Sequence, residues 1–206
     1  MVTEILTHSA ALDEFFREKI QEALNTQKIK VSTEAQIYLV NILTHFSKSE
    51  NFFQTNADGK KELRPLALKL YDAVFSEAHN EKFLHLKSLG DTALYHAGVF
   101  YDAIHSGILD IEYYIQMGGS AYQSLANLST TQRDGFGDLY DELSRKFAQL
   151  VEVLYLSCEQ EMTANDNDLL RVLDRYIKTG SQKAKEILEE NGILPEHLKT
   201  DKKAMQ

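Results

Sequence analysis

Four of the seven histidines, His79, His85, His96 and His105, fall within or beside one stretch, 80–106, that reads as helix. Imidazoles gathered in this way raise the prospect of metal binding or acid–base chemistry. His85 and His96 lie eleven residues apart and share a helical face. With a rise of about 1.5 Å per residue they stand roughly 16 Å apart and cannot hold one ion together. A second row, Asp91, Tyr95, Gly98, Asp102 and His105, repeats at spacings of four, three, four and three. Asp102 and His105 are close enough on such a row to pair, which would orient an imidazole for proton transfer. The row lies off the apolar stripe, so a solvated polar face is expected. It becomes a site only if the helix is covered on both sides.

Tyrosines are concentrated in the same region, at Tyr95, Tyr101, Tyr113, Tyr114 and Tyr122. Tyr101, Tyr114 and Tyr122 sit at core spacing, so buried rings with hydrogen-bonded hydroxyls are expected. The segment DIEYYIQMGGSAYQSL, Asp110 to Leu125, keeps adjacent glycines inside a helical pattern. Each costs about 0.8–1.0 kcal/mol relative to alanine, so a use for the bare backbone is implied. An advance of about 100° per residue puts Ile111, Tyr114, Gly118, Ala121, Tyr122 and Leu125 on one stripe. The preceding helix gathers Phe83, Leu86, Gly90, Ala93, Leu94, Ala97, Tyr101 and Ile104 on another. Facing patches of small residues, Gly90/Ala93/Ala97 and Gly118/Ala121, predict helix axes closer than the usual ~8–10 Å. The alternative is a ligand lying against the bare backbone. Gly119 falls at the edge of the stripe and is assigned no role. The candidate ligand-binding set is His85, Asp91, Tyr95, His96, Tyr114, Gly118 and Tyr122. No metal site is predicted from it, no cofactor is indicated and no catalytic residue is assigned.

The familiar catalytic signatures are missing: no HExxH, no ExxH of di-iron bundles, no paired CxxC, no Walker loop, no GxSxG and no complete GxGxxG. Cys158 stands alone, which precludes an intramolecular disulfide, and it continues an apolar stripe four residues after Leu154. A structural thiol is therefore expected rather than a nucleophile. Gly135-Phe136-Gly137 is too short a fragment to imply a phosphate loop.

These residues require helices to position them. The chain has 206 residues, 43% of them apolar, and carries a formal net charge of -9. That balance disfavours nucleic acid, whose phosphates call for Lys and Arg. The start, MVTEILTHSAALDEFF, lacks the basic and apolar regions of a secretory signal, and no apolar run reaches the ~20 residues of a membrane span. A cytoplasmic protein is expected by default. Apolar spacings of three and four recur throughout while strict alternation is almost absent, so the fold class is all-α.

The expected architecture is a compact single-domain bundle of about seven to eight helices over 1–197, with a disordered tail at 198–206. The first helix opens at Ser9 and faces inward with Leu12, Phe16, Ile20 and Leu24. The second begins at Ser32 or Thr33, with a capping box from Thr33 to Gln36 and an apolar face of Ile37, Val40 and Leu43. At 47–62 the pattern breaks into a small hairpin turning at Asp58-Gly59, or into a surface loop, the expected form, with Phe52 and Phe53 tucked onto the bundle. Pro65 opens a third helix with an apolar face of Leu66, Leu70, Val74 and Phe75. The fourth spans Asn80 to Ser106, with Gly107 as its stop, and the fifth runs from Asp110 to about Leu128. A long sixth helix carries Phe136, Leu139, Leu143, Phe147, Leu150, Leu154 and Cys158. The seventh starts at Asn165 or Asp166, presents Leu169, Leu170, Leu173 and Ile177, and ends at Gly180. Ser181 caps an eighth, stopped by Gly192 and Pro195.

The block LKSLGDTALYHAGVF, Leu86 to Phe100, together with DIEYYIQMGGSAYQSLA, Asp110 to Ala126, resembles a segment of a family of uncharacterised bacterial proteins of similar length. The resemblance implies a bacterial cytosolic setting and carries no activity, cofactor or site residue. The functional expectation is a non-enzymatic module for protein interaction or regulation, acting on a protein partner or by self-association. The competing expectation is a helical-bundle pocket for a small ligand or cofactor, with or without enzymatic activity.

Overall fold

The computed structural model describes residues 2–47, 54–55, 61–62, 64–101, 104, 110–132, 135–158 and 169–193. Among them are nine α-helices: α1 (Val2–Gln27), α2 (Thr33–Phe46), α3 (Leu66–Phe75), α4 (His79–Val99), α5 (Ile111–Gln132), α6 (Gly137–Arg145), α7 (Phe147–Cys158), α8 (Leu169–Thr179) and α9 (Gln182–Glu190). The all-α expectation holds. No helix among the described residues is long and apolar enough to cross a membrane.

α4 is the axis of the bundle. It packs against α2, α3, α5 and α7, and every residue from Leu89 to Gly98 is buried. The polar row that includes Asp91 and Tyr95 is therefore enclosed, not solvated, because α2 and α3 cover the side that the sequence leaves open. Asp102 and His105 lie outside the described residues. α4 itself stops at Val99, short of the expected Ser106, with Phe100 as its C-cap.

Several boundaries and faces depart from the sequence reading. α1 starts at Val2, so Ser9 is a helical residue and not a cap, while Ile20 and Leu24 are buried as expected. α2 is capped by Ser32, whose Oγ accepts from Ala35 N–H at 3.1 Å. The Ser32 N–H donates to the Glu142 carboxylate at 3.2 Å, and the Gln36 amide turns to the Val31 carbonyl instead of forming a capping box with Thr33. Ala35, Leu39, Val40, Ile42 and Leu43 fill the inner side of α2, leaving Ile37 outside.

Where a surface loop is expected, the described residues pair as the hairpin alternative has it: Gln54 with Glu62 and Thr55 with Lys61 in an antiparallel ladder. Phe52, Phe53 and the Asp58-Gly59 turn lie outside the described residues. The expected long sixth helix is two, parted at Lys146, whose Nζ reaches the Lys30 carbonyl at 2.5 Å and Glu142 at 2.8 Å. Apolar spacing does not reveal this break, because Leu143 and Phe147 keep their i,i+4 separation across it and both are buried.

The C-terminal pair α8–α9 forms a small cluster of its own, Val172, Tyr176, Ala184 and Leu188. α8 is rotated from the expected face: Val172, Arg175, Tyr176 and Thr179 point inward, while Leu170 and Ile177 are exposed. Gly180, at φ 70°, ends α8 in the left-handed conformation that only glycine adopts freely, and Ser181 caps α9 as expected. Pro195 and the tail at 198–206 lie outside the described residues.

Candidate functional site

One buried polar arrangement is built on Asp91. Tyr38 from α2 and Tyr122 from α5 both donate their hydroxyls to Oδ1, at 2.6 and 2.8 Å. Lys87, one turn earlier on α4, donates to Oδ2 at 2.5 Å. The neighbouring Gly90 makes this possible: a Cβ there would lie 2.5 Å from Cε1 of the Tyr122 ring. Tyr38, Tyr122 and Tyr140 form a triangle of rings with centroids 6.0–6.1 Å apart, and Lys87 Nζ sits 5.1 Å from the Tyr38 centroid.

Burial, followed by the Asp91 charge, pushes the Tyr38 and Tyr122 hydroxyls far above the ordinary tyrosine range. Both therefore stay protonated as donors and do not trade protons near neutrality. The Asp91–Lys87 pair leaves no net charge, and three hydrogen bonds occupy the carboxylate. This geometry fastens α2, α4 and α5 to one another.

The remaining candidate residues divide between separate places. His96 lies against Tyr114 and Phe100, ring centroids 6.0 and 6.1 Å away. Burial, and secondarily Lys69, lowers its imidazole to about 4, so it is neutral near neutrality and not poised for acid–base work. Tyr95 stacks on Phe46 at 4.7 Å, and burial, with Cys158 nearby, pushes its hydroxyl up to about 12. His85 is half-buried and belongs to neither group.

Gly118 faces α4 as expected, yet the space beside it is occupied: a Cβ would run into the Phe147 ring and come 2.9 Å from Ala93 Cβ. Gly119 meets nothing closer than 3.8 Å. Gly98 is likewise closed, with Leu154 Cβ 2.5 Å from where a Cβ would stand. The bare backbone at Gly90, Gly98 and Gly118 is filled by Tyr122, Leu154 and Phe147 of the protein itself, so at these positions side chains occupy the space that a flat ligand would need.

A second buried polar cluster has no counterpart in the sequence reading. Glu152 on α7, 1% exposed, takes both Nε, at 2.9 Å, and Nη2 of Arg175. Ser181 Oγ donates to it at 2.7 Å, and Thr179 Oγ1, whose proton goes to the Arg175 carbonyl at 2.7 Å, lies 3.3 Å away. The guanidinium carbon lies 3.9 Å from the Tyr155 ring centroid and 5.8 Å from that of Tyr101. The only signal in the sequence is that Arg175 and Thr179 share a stripe with Val172 and Tyr176, an arrangement that reads equally well as a solvated flank.

Cys158 is partly buried, and burial raises its thiol to about 11, consistent with an unreactive structural residue. Among the described residues no group of three or more His, Cys, Asp or Glu is placed to hold a metal ion. Compared with protein-family models, with curated proteins and with solved structures, the chain matches none.

Proposed function

We propose that this chain is a non-enzymatic interaction module that self-associates through the outward face of α3. The carrying observation is the character of that face. Leu68, Tyr71, Val74 and Phe75 are 51%, 58%, 58% and 65% exposed, and Ala67 lies among them. The two charged residues of α3 turn to its flanks: Lys69 Nζ donates to Ser88 at 2.8 Å, and Asp72 pairs with Arg64 at 2.5 Å. A helix with apolar residues on two opposite sides ordinarily buries both, but α3 turns Leu66 and Ala73 inward and packs chiefly on α4. Contiguous exposed apolar surface of this kind marks an interaction site.

A second copy suits this face because it is self-complementary. A two-fold axis through Tyr71 sets the α3 helices antiparallel, placing the large Phe75 of one copy over the small Ala67 of the other and Leu68 opposite Val74. Such an isologous contact uses one patch twice and needs no charge partner, which fits a face without charges. The bacterial cytosolic setting implied by the two resemblance blocks belongs to the same proposal.

Sedimentation velocity over a wide concentration range tests it. The expected outcome is a reversible dimer for the native chain and a monomer for Phe75→Glu, with unchanged helical circular dichroism. A native chain that stays monomeric at high concentration overturns the reading, as does a Phe75→Glu variant that still dimerises.

A further inference from the structure

Lys69 differs from neighbouring lysines in what its ammonium holds. Lys87, Lys146 and Lys178 each reach a carboxylate, that of Asp91, Glu142 and Asp110, at 2.5, 2.8 and 2.7 Å. Lys69, half-buried on the flank of α3, pairs with no acid among the described residues: its Nζ donates to the Ser88 hydroxyl on α4, 2.8 Å away. Asp72, three residues on, is taken by Arg64 Nη2 at 2.5 Å, and Asp91 by Lys87 and two tyrosines. His96, which feels the Lys69 charge from α4, is itself lowered to about 4, chiefly by burial.

An ammonium drawn from water toward a hydroxyl and a second cation is disfavoured against the free amine. Burial first, and then the Arg64 charge, lowers the Lys69 amine from the ordinary lysine value, with Asp72 and Asp91 pulling the other way. The free amine is the nucleophilic form, and desolvation beside another cation is a general means of making lysine reactive. Arg64 contributes a second feature. Its side chain is 34% exposed, and Nε and Nη1 hold no partner among the described residues, so two donors of the guanidinium fork are open to an oxyanion.

We infer that Lys69 is an acyl-acceptor site, taking the acyl group of a small acyl phosphate whose phosphate is met by Arg64. The Nζ lone pair attacks the carbonyl carbon and a C–N bond forms. The C–O bond to the phosphate breaks, and inorganic phosphate leaves with the electron pair and with the proton lost from Nζ. The product is a neutral amide whose N–H can still donate to Ser88 and whose charge no longer opposes Arg64.

The full chain is incubated with acetyl phosphate and, separately, with the uncharged ester phenyl acetate, and acetylation of each lysine is timed by peptide mass spectrometry. With acetyl phosphate, Lys69 should react at least about fivefold faster than the exposed Lys28 and Lys30. Excess inorganic phosphate should slow that reaction and leave phenyl acetate labelling of Lys69 unchanged. Arg64→Gln, with helical circular dichroism retained, should bring the acetyl phosphate rate at Lys69 down toward that of Lys28 and Lys30, and unfolding the native chain in urea should abolish the preference. The inference is overturned if Lys69 reacts no faster than Lys28 and Lys30, if the acyl group is found on Ser88 instead, if the preference survives urea, or if neither inorganic phosphate nor Arg64→Gln has an effect.

Discussion

The hydroxyl of Tyr122, a fully buried residue, stands 2.8 Å from Oδ1 of Asp91, with the Tyr38 hydroxyl 2.6 Å from the same oxygen. One carboxylate thus satisfies two tyrosines from two different helices, and removing the acceptor should cost more than removing either donor. Tyr122→Phe deletes a hydrogen bond and leaves Asp91 with Tyr38 and Lys87, a loss of about 1–2 kcal/mol. Asp91→Ala strands both hydroxyls and turns the part-exposed Lys87 ammonium to water, and about 3 kcal/mol or more is expected. Urea denaturation of the two variants checks the order; an Asp91→Ala chain as stable as Tyr122→Phe would show that the tyrosines find other acceptors.

The two adjacent glycines should respond in opposite directions. At Gly118 any side chain displaces the Phe147 ring, so Gly118→Leu is expected to lose about 1–3 kcal/mol or more through overpacking. At Gly119 a methyl group finds ordinary contact distances, and Gly119→Ala should be neutral or gain up to about 1 kcal/mol from the lower entropy of the unfolded chain. Thermal melts compare them directly; similar melting temperatures for both would mean that Phe147 can leave its place without cost.

These glycines also show how far the sequence reached. Spacings of three and four located most of the helices, and Ser32, Gly180 and Ser181 marked ends that the fold keeps, because caps and stops are local chemistry. Gly118 and Tyr122 were assigned to the inner face of α5 for the same reason. What was not legible depends on contacts between distant segments. Asp91 looked solvated because nothing in its own helix announces that Tyr38 arrives from α2. Glu152 and Arg175 stand out in no pattern of the sequence, because their pairing joins α7 to α8 and neither helix alone announces it. On α3 apolar residues stand on two opposite sides, so spacing picks the wrong one: of the expected face only Leu66 is buried, Leu70, Val74 and Phe75 are exposed, and Ala73 is buried instead.

Acid should destabilise the protein through His96. Its folded value of about 4 lies below the ordinary ~6.5, so the fold favours the neutral ring. The corresponding stability is present above pH ~6.5 and is lost as the pH falls through about 4, up to about 3 kcal/mol in all. Replacing the imidazole by an amide, His96→Gln, removes the titration but not the burial. Stability measured from neutral pH down to about 4 should fall less steeply in this variant than in the native chain; parallel curves would place the acid sensitivity elsewhere.

The Glu152–Arg175 pair should govern whether α8 and α9 stay attached. Their own apolar cluster is small, and the carboxylate gathers Arg175, Thr179 and Ser181, the last of which also caps α9 by accepting from Ala184 N–H at 3.1 Å. Arg175→Met leaves a buried, uncompensated carboxylate and is expected to cost about 3–5 kcal/mol. Its first sign should be faster hydrogen exchange across residues 169–190 while α4 and α5 retain their protection. Adding Glu152→Leu removes the stranded charge at the smaller cost of the Ser181 hydroxyl's acceptor, while Thr179 keeps the carbonyl of residue 175, 2.7 Å away. The double variant should therefore regain much of the loss. If it is no more stable than Arg175→Met alone, the cost lies in the lost contacts of the guanidinium with Tyr155 and Tyr101 and in the Ser181 hydroxyl, not in the buried charge.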